Sequence, residues 1–362
     1  MKKLTQFFIL VILLSSCRKS ESEFIWEKSL GSGIAMFLAT TADSGFISCG
    51  EKEGSPYFVR FSKTKKVIID FKDENAGSFS SAWFDSKSYI AIGCSENKLL
   101  LTRYSTEGLR LWEKLIDPGF EVSTAKLFWT GGGNLLAIAS VSAESIMSEA
   151  SGLLFVAFDT TGRSFSESSI TDPSFLSAND ACMDNNGNIF LALTRKEQAG
   201  KSKASVARFN SNLQKIWETN LFNNPEFGKS GTAISIDRMG DIYVAGKTEI
   251  SSDDGVYYNS FLTSLTGTGT IRWSKYLEKS NAGSAVTLSN NNELLMLNRN
   301  CFIINLLDTS TGADAGRIRT FELCDSYNTD ALSTGIAINY DSNYLLSGTR
   351  GGSYYLALKP GQ

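Results

Sequence analysis

The sequence predicts an all-β chain folded as a seven-bladed β-propeller, with four-stranded antiparallel blades and a ring closed by the N-terminal strand. Three observations carry this expectation. An apolar strand recurs seven times between Ser22 and Gln362, at residues 57–61 (YFVRF), 100–104 (LLTRY), 154–158 (LFVAF), 205–209 (SVARF), 261–265 (FLTSL), 303–307 (IINLL) and 354–358 (YYLAL), with ends 42 to 56 residues apart. A self-similar period near 50 in a β-rich chain marks a repeat array, and four strands per repeat mark propeller blades. The seventh repeat is one strand short, and a spare strand stands before the first. The turns inside the repeats are rich in Gly, Asn and Asp, as hairpins require.

The ends of the chain come first. Lys2 and Lys3 precede the apolar run 7–14 (FFILVILL), which is followed by Ser15, Ser16 and Cys17. A basic start, a short apolar stretch and small residues describe a secretory signal, and the run is far short of the ~20 residues a membrane-spanning helix needs. Residues 14–17 (LSSC) resemble the bacterial lipobox, in which the Cys becomes the lipidated first residue. The division expected is therefore a signal peptide at 1–16, a polar tether at 17–23 and one propeller domain at 24–362, anchored to a membrane through Cys17. The place implied is the bacterial cell envelope, at the outer membrane.

Blade one takes strands at 36–40, 46–49, 57–61 and 67–71. Blade two takes 81–84, 89–93, 99–104 and 109–115, and blade three 125–130, 135–141, 153–158 and 164–170. Blade four takes 180–183, 189–194, 204–209 and 214–221, and blade five 233–237, 242–247, 260–265 and 270–277. Blade six takes 285–288, 294–298, 302–307 and 316–323. Blade seven has only 336–339, 344–348 and 353–358. Fourth strands carry a Trp mark, at 112–115 (WEKL), 217–218 (WE) and 273–275 (WSK), and the same mark stands at 26–28 (WEK). An open ring would leave two bare strand edges. Pairing 24–30 with the third strand of blade seven removes both.

Residues 231–248 (GTAISIDRMGDIYVAGKT) resemble the bacterial β-propeller repeat called SBBP and, more loosely, NHL repeats; 181–193 follow the same pattern. The resemblance implies a secreted or surface propeller and transfers no catalytic residue. The stretches 265–273 and 307–312 also resemble the tryptophan-docking turns of quinoprotein propellers, but the chain has seven blades and no adjacent cysteines. The repeated Trp is read as a blade-packing residue, with no quinone cofactor.

Net charge is −3, and no Lys/Arg run is present, so nucleic acid is not an expected partner. His is absent from the chain. That removes the Ser-His-Asp triad and nearly all zinc and non-haem iron sites. Asp184-Asn185-Asn186-Gly187-Asn188 begins like a calcium loop, but position twelve is Arg195, so it is read as a hairpin turn. Of Cys49, Cys94, Cys182, Cys301 and Cys324, most sit in or beside apolar strands as core thiols, and any disulfide pairing among them stays open.

No catalytic, cofactor-binding or metal-binding residue is therefore assigned. Acids collect between blades, at Asp73, Glu74, Asp117, Glu121, Asp172, Asp180, Glu226, Glu278, Asp325 and Asp330, either as a polar ring around a channel mouth or as ordinary solvated loops. Longer connections at 141–152, 195–203 and 248–259 lie on the same face. The function expected is binding or scaffolding of a protein or carbohydrate at the envelope. The alternatives are a carboxylate-dependent glycosidase or lyase at the channel mouth, and a subunit of an envelope assembly complex.

Overall fold

A computed structural model of the chain describes residues 24–142, 151–197, 201–221, 228–252, 255–277, 283–289, 293–298, 303–318, 331–339 and 341–360. The expected leader at 1–16 and Cys17 lie outside them, as do Cys301, Cys324, Glu226, Glu278, Asp325 and Asp330. Every secondary-structure element among the described residues is a β-strand.

The strands fall into successive units. Unit one holds β1 (Trp26–Thr40), β2 (Phe46–Lys52), β3 (Ser55–Phe61) and β4 (Val67–Lys72). Unit two holds β5 (Ser78–Phe84), β6 (Ser88–Ser95), β7 (Lys98–Ser105) and β8 (Arg110–Ile116). Unit three holds β9 (Glu121–Gly131), β10 (Asn134–Ser142), β11 (Ser151–Asp159) and β12 (Ser164–Asp172). Unit four holds β13 (Phe175–Met183), β14 (Ile189–Lys196), β15 (Ser202–Phe209) and β16 (Lys215–Asn220). Unit five holds β17 (Gly228–Ile236), β18 (Ile242–Ser252), β19 (Gly255–Leu265) and β20 (Ile271–Leu277). Unit six holds β21 (Gly283–Leu288), β22 (Glu293–Asn298), β23 (Ile304–Asp308) and β24 (Asp314–Ile318). Unit seven holds β25 (Ala331–Ile338), β26 (Tyr344–Arg350) and β27 (Ser353–Lys359).

Units two to six are each one four-stranded antiparallel meander. Units seven and one share a single seven-stranded sheet in the order β25-β26-β27-β1-β2-β3-β4. The cause is β1. Its first part pairs with β27, Trp26 opposite Leu358 and Ser29 opposite Tyr355. Its second part pairs with β2, Gly33 opposite Lys52 through Thr40 opposite Phe46. Two expected strands, 24–30 and 36–40, are thus one. Gly33 sits where the strand changes partners, at φ +149°, and a Cβ there would fall 2.2 Å from the Glu51 carbonyl oxygen. Only glycine fits.

Burial explains the apolar runs. Second and third strands are covered on both faces, as in β2 from Phe46 to Gly50 and β3 from Pro56 to Phe61. Fourth strands are partly bare, as in β4 and β8. Seven apolar clusters form, one between each pair of consecutive units and one between units seven and one. The last joins Leu345, Tyr354, Leu356 and Leu358 to Ala35, Phe46, Tyr57 and Phe61, with Trp26 packed against it.

Three expectations need correction. First strands begin earlier than the apolar pattern does, because their leading residues are Ser, Thr, Gly and Asn; β5 starts at Ser78 rather than 81, and β17 at Gly228 rather than 233. The stretch 248–259, expected as a connection, extends β18 and β19 as a hairpin paired to Ser252 opposite Gly255. The third strand of unit seven is one residue out of phase with its sequence match: Leu358 faces Trp26 as Arg103 faces Trp112.

Candidate functional site

The first strands of all seven units line one cavity of about 510 Å³. Their polar leading residues make this possible. Most of these strands carry a bulge near the same level, at Met36, Ser80, Asn179, Thr232, Ser284 and Thr334. A bulge re-aims a side chain, and here the re-aimed residues line the cavity. The opposing second strand often supplies glycine. A Cβ on Gly50 or Gly93 would fall about 2 Å from the carbonyl oxygen of Ile34 or Ser78.

The lining side chains form a girdle that runs from unit to unit. Ser80 Oγ donates to the Ala125 carbonyl at 2.8 Å, Thr124 Oγ1 to that of Ala178 at 2.7 Å, and Asn179 Nδ2 to that of Gly231 at 2.6 Å. Thr232 Oγ1 donates to the Gly283 carbonyl at 2.5 Å. Ser284 Oγ and Ser333 Oγ lie 3.1 Å apart, and Thr334 Oγ1 donates to the Ala35 carbonyl. Met36 holds the seventh position without a hydroxyl. The charged lining residues are Lys126 and Asp180, paired at 2.7 Å across units three and four. Asp180 also accepts from the Ile234 N–H at 3.0 Å. The cavity therefore offers hydroxyls, an amide and one ion pair. That set can hold a polar ligand by hydrogen bonds.

The acids expected around the mouth are engaged with their own neighbours. Asp73 accepts from the Tyr104 hydroxyl and from Asn75, with Arg110 at 3.7 Å. Glu74 lies 3.6 Å from Arg110, and Asp117 3.4 Å from Lys98. Glu121 opens β9 and is exposed. Asp172 binds Arg195 at 2.7 Å, and Glu218 binds the same guanidinium through both oxygens at 2.7 and 2.6 Å. Burial alone would lower the Arg195 pKa, and Glu218 and Asp172 overcome it, so the group stays charged. Among the described residues, the expected polar ring is a set of local ion-pair clusters with Glu121 exposed, and Asp180 alone of those acids lines the cavity.

Two other sequence readings hold. Asp184 Oδ1 accepts from the Asn186 and Asn188 N–H groups at 2.9 and 2.8 Å, a self-closing turn, while Arg195 sits in its ion-pair cluster. Cys49, Cys94 and Cys182 are free thiols. Burial pushes the Cys94 thiol up to about 11 and raises those of Cys49 and Cys182 well above the ordinary thiol value, which favours the protonated, unreactive form. No group of three or more His, Cys, Asp or Glu able to hold a metal occurs among the described residues.

The tryptophans dock on the next unit. Trp112 Nε1 donates to the Thr160 carbonyl at 3.0 Å, Trp217 Nε1 to that of Gly267 at 3.3 Å, and Trp273 Nε1 to that of Thr309 at 3.1 Å. Each indole lies against a glycine of the same turn. A Cβ on Gly162, Gly269 or Gly312 would sit 2.7–2.9 Å from the ring. Trp26 packs edge-on against Phe61 and Phe46, at 5.1 and 5.7 Å between ring centroids.

The girdle escaped the sequence reading, although a signal was present. A small residue followed by Ser, Thr or Asn stands within several first strands, as in Gly231-Thr232, Gly283-Ser284, Ser333-Thr334 and Ala178-Asn179. Lys126 was equally hidden, because its partner lies 54 residues away in the next unit.

No family model and no curated protein matches the sequence. Solved structures do match the fold. Virginiamycin B lyase from Staphylococcus aureus superimposes with a TM-score of 0.61 at 9% identity, over 92% of this chain and 99% of that one. A protein of unknown function from Dyadobacter fermentans gives 0.54 at 12% identity, over 94% and 98%. A luciferin-regenerating enzyme gives 0.51 at 9% identity, over 93% and 97%. At these identities the likeness bears on the fold alone, which is all-β and propeller-like.

Proposed function

We propose that the chain is a seven-bladed β-propeller, closed by β1, that serves as a binding module at the bacterial cell envelope and is anchored there through a lipid on Cys17. The observation that carries the binding reading is the cavity: it is lined by hydroxyl, amide and apolar groups, with its one acid already neutralised by Lys126. Such a lining suits a neutral, hydroxyl-bearing ligand such as a carbohydrate. The rival glycosidase or lyase reading needs two carboxyl groups facing each other across a pocket, whereas Asp180 is the one carboxylate among the cavity's described lining residues. The seven inter-unit clusters and the shared strand β1 support the blade count and the closure.

The binding test is capture of envelope oligosaccharides and proteins by the soluble chain beginning at Ser20. Wild type is expected to retain a ligand that Lys126→Met loses in good part. Equal retention by both would move the site away from the cavity. The anchor is tested separately: labelled palmitate is expected to enter the full chain and not Cys17→Ala, and equal labelling would remove the lipid.

A further inference from the structure

Exposed large apolar side chains gather at one end of the units. Ile25, Val67, Leu109, Phe165, Ile216 and Ile271 each stand at the first residue of a fourth strand or next to it, with the first part of β1 taken as the fourth strand beside β27. Met239, which is 88% exposed, sits between the first and second strands of unit five. The meander puts all these positions at the same end. In unit one Thr40 faces Phe46, Phe46 faces Phe61, and Phe61 faces Val67. The docked tryptophans hold that end of one unit against that end of the next. We propose that this end of the molecule, rimmed by apolar side chains, lies against a lipid surface.

The path of the chain specifies the occupant. Ile25 N–H donates to the Leu358 carbonyl at 2.9 Å, and Trp26 faces Leu358 near the close of β27. The chain therefore enters the fold at the rimmed end. Residues 17–23 precede this point, and a stretch of that length spans about 25 Å when fully extended. A lipid on Cys17 thus keeps the rimmed end nearest the bilayer. For this orientation the proposal rests on the anchor proposed above. The cavity lies toward the opposite end, where Ser78 faces Cys94 at the start of β5, so contact at the rim does not cover it.

The chemistry of the rim fits the same occupant. A Lys or Arg adjoins the apolar residue at Lys66-Val67, Leu109-Arg110, Lys215-Ile216, Arg238-Met239 and Ile271-Arg272. An apolar side chain can enter the boundary of the acyl chains while the cation beside it reaches headgroup phosphates. Lys66 and Arg238 form no ion pair with a described residue. The acids at this end are turned to their own chain: Asp159, Asp237 and Asp308 accept from the N–H groups of Thr161, Met239 and Thr311. At the opposite end Leu115 and Leu176 are exposed singly, with no such series from unit to unit.

The test is flotation of the chain beginning at Ser20, which keeps every described residue and lacks Cys17, with vesicles of phosphatidylethanolamine and phosphatidylglycerol. Half-saturation between about 0.1 and 1 mM lipid is expected, weaker than a single acyl chain gives. Leu109→Asp combined with Met239→Asp is expected to weaken it by about tenfold or more. Met239→Asp alone, on a turn that folding does not depend on, is expected to weaken it several-fold. Leu115→Asp combined with Leu176→Asp, at the opposite end, is expected to leave it unchanged. Absence of flotation overturns the proposal, and so does flotation that the two pairs of substitutions weaken equally. The outcome is separable from that of the anchor. Flotation without palmitate labelling of the full chain removes the anchor and keeps the lipid-facing end, and labelling without flotation does the reverse.

Discussion

The inner girdle of side-chain hydrogen bonds and the outer set of docked tryptophans join the same units, yet the girdle is interrupted at one junction and the tryptophans at three. The girdle lapses between units one and two, where Met36 has no hydroxyl to donate. There the outer side is dense: Arg60 lies 4.1 Å over the Phe84 ring and donates to the Tyr89 hydroxyl at 3.0 Å, while the tilted rings of Phe71 and Tyr104 lie 4.1 Å apart. The outer dock lapses at Ile69 and Gly316 and, between units three and four, at Ser166. There the inner side is reinforced by the Thr124 bond, by Ala178 N–H donating to Ser140 Oγ at 3.2 Å, and by the Lys126–Asp180 pair. Between units one and two, where neither a girdle bond nor a docked Trp is present, aromatic packing joins the units, and between units three and four the inner bonds hold where a groove lined by Ser166 opens outside.

The comparison can be broken most severely at the strand that belongs to neither ring alone. Deleting residues through Ser20 removes no strand among the described residues, and is expected to leave urea unfolding unchanged. Deleting through Leu30 strips β27 of its partner and Trp26 of its seat against Phe46 and Phe61. A large drop in the urea midpoint is expected, together with self-association through the bared edge. A Leu30 truncation that stays monomeric with an unchanged midpoint would remove β1 from the account.

A smaller break tests the outer set. Trp112→Ala empties the seat against Gly162 and Phe158 and leaves Arg103 as the remaining side-chain donor to the Thr160 carbonyl. A loss of about 3 kcal/mol is expected from denaturant unfolding, the cost of deleting a large packed aromatic side chain. The smallest break tests the girdle. Thr232→Val keeps the shape but removes the donor to Gly283, and about 1 kcal/mol is expected. Were the two losses reversed in size, the girdle and not the docked indoles would carry the junctions.

Most of the strand layout was legible in the sequence, because a strand covered on both faces must be apolar throughout. Thus 46–49 and 89–93 announced β2 and β6 within two or three residues at either end. Strand starts at the cavity were not legible, since Ser78, Gly228 and Gly283 owe their strand conformation to the neighbouring backbone and not to their own apolar character. The missing fourth strand was found by its Trp-Glu-Lys mark, but its fusion with the first strand of unit one was hidden, because Gly31 and Gly33 read as a break in sequence and act as a change of partner in the fold. The candidate site was the least legible part. Its girdle is made of single Ser, Thr and Asn residues whose partners are backbone carbonyls one unit away, and a carbonyl leaves no trace in a sequence.

The sharing of β1 also sets an order on folding. Ser48 Oγ and Tyr354 OH meet at 2.7 Å although 306 positions separate them. Closing a flexible loop of that length costs on the order of 5 kcal/mol, so this contact forms last, after local hairpins have docked into a preassembled row. Until then β27 offers a bare edge and β1 a free half-strand. A half-strand from a second molecule satisfies the same pairs, so crowding during folding favours exchanged dimers, and dilution favours the self-closed chain.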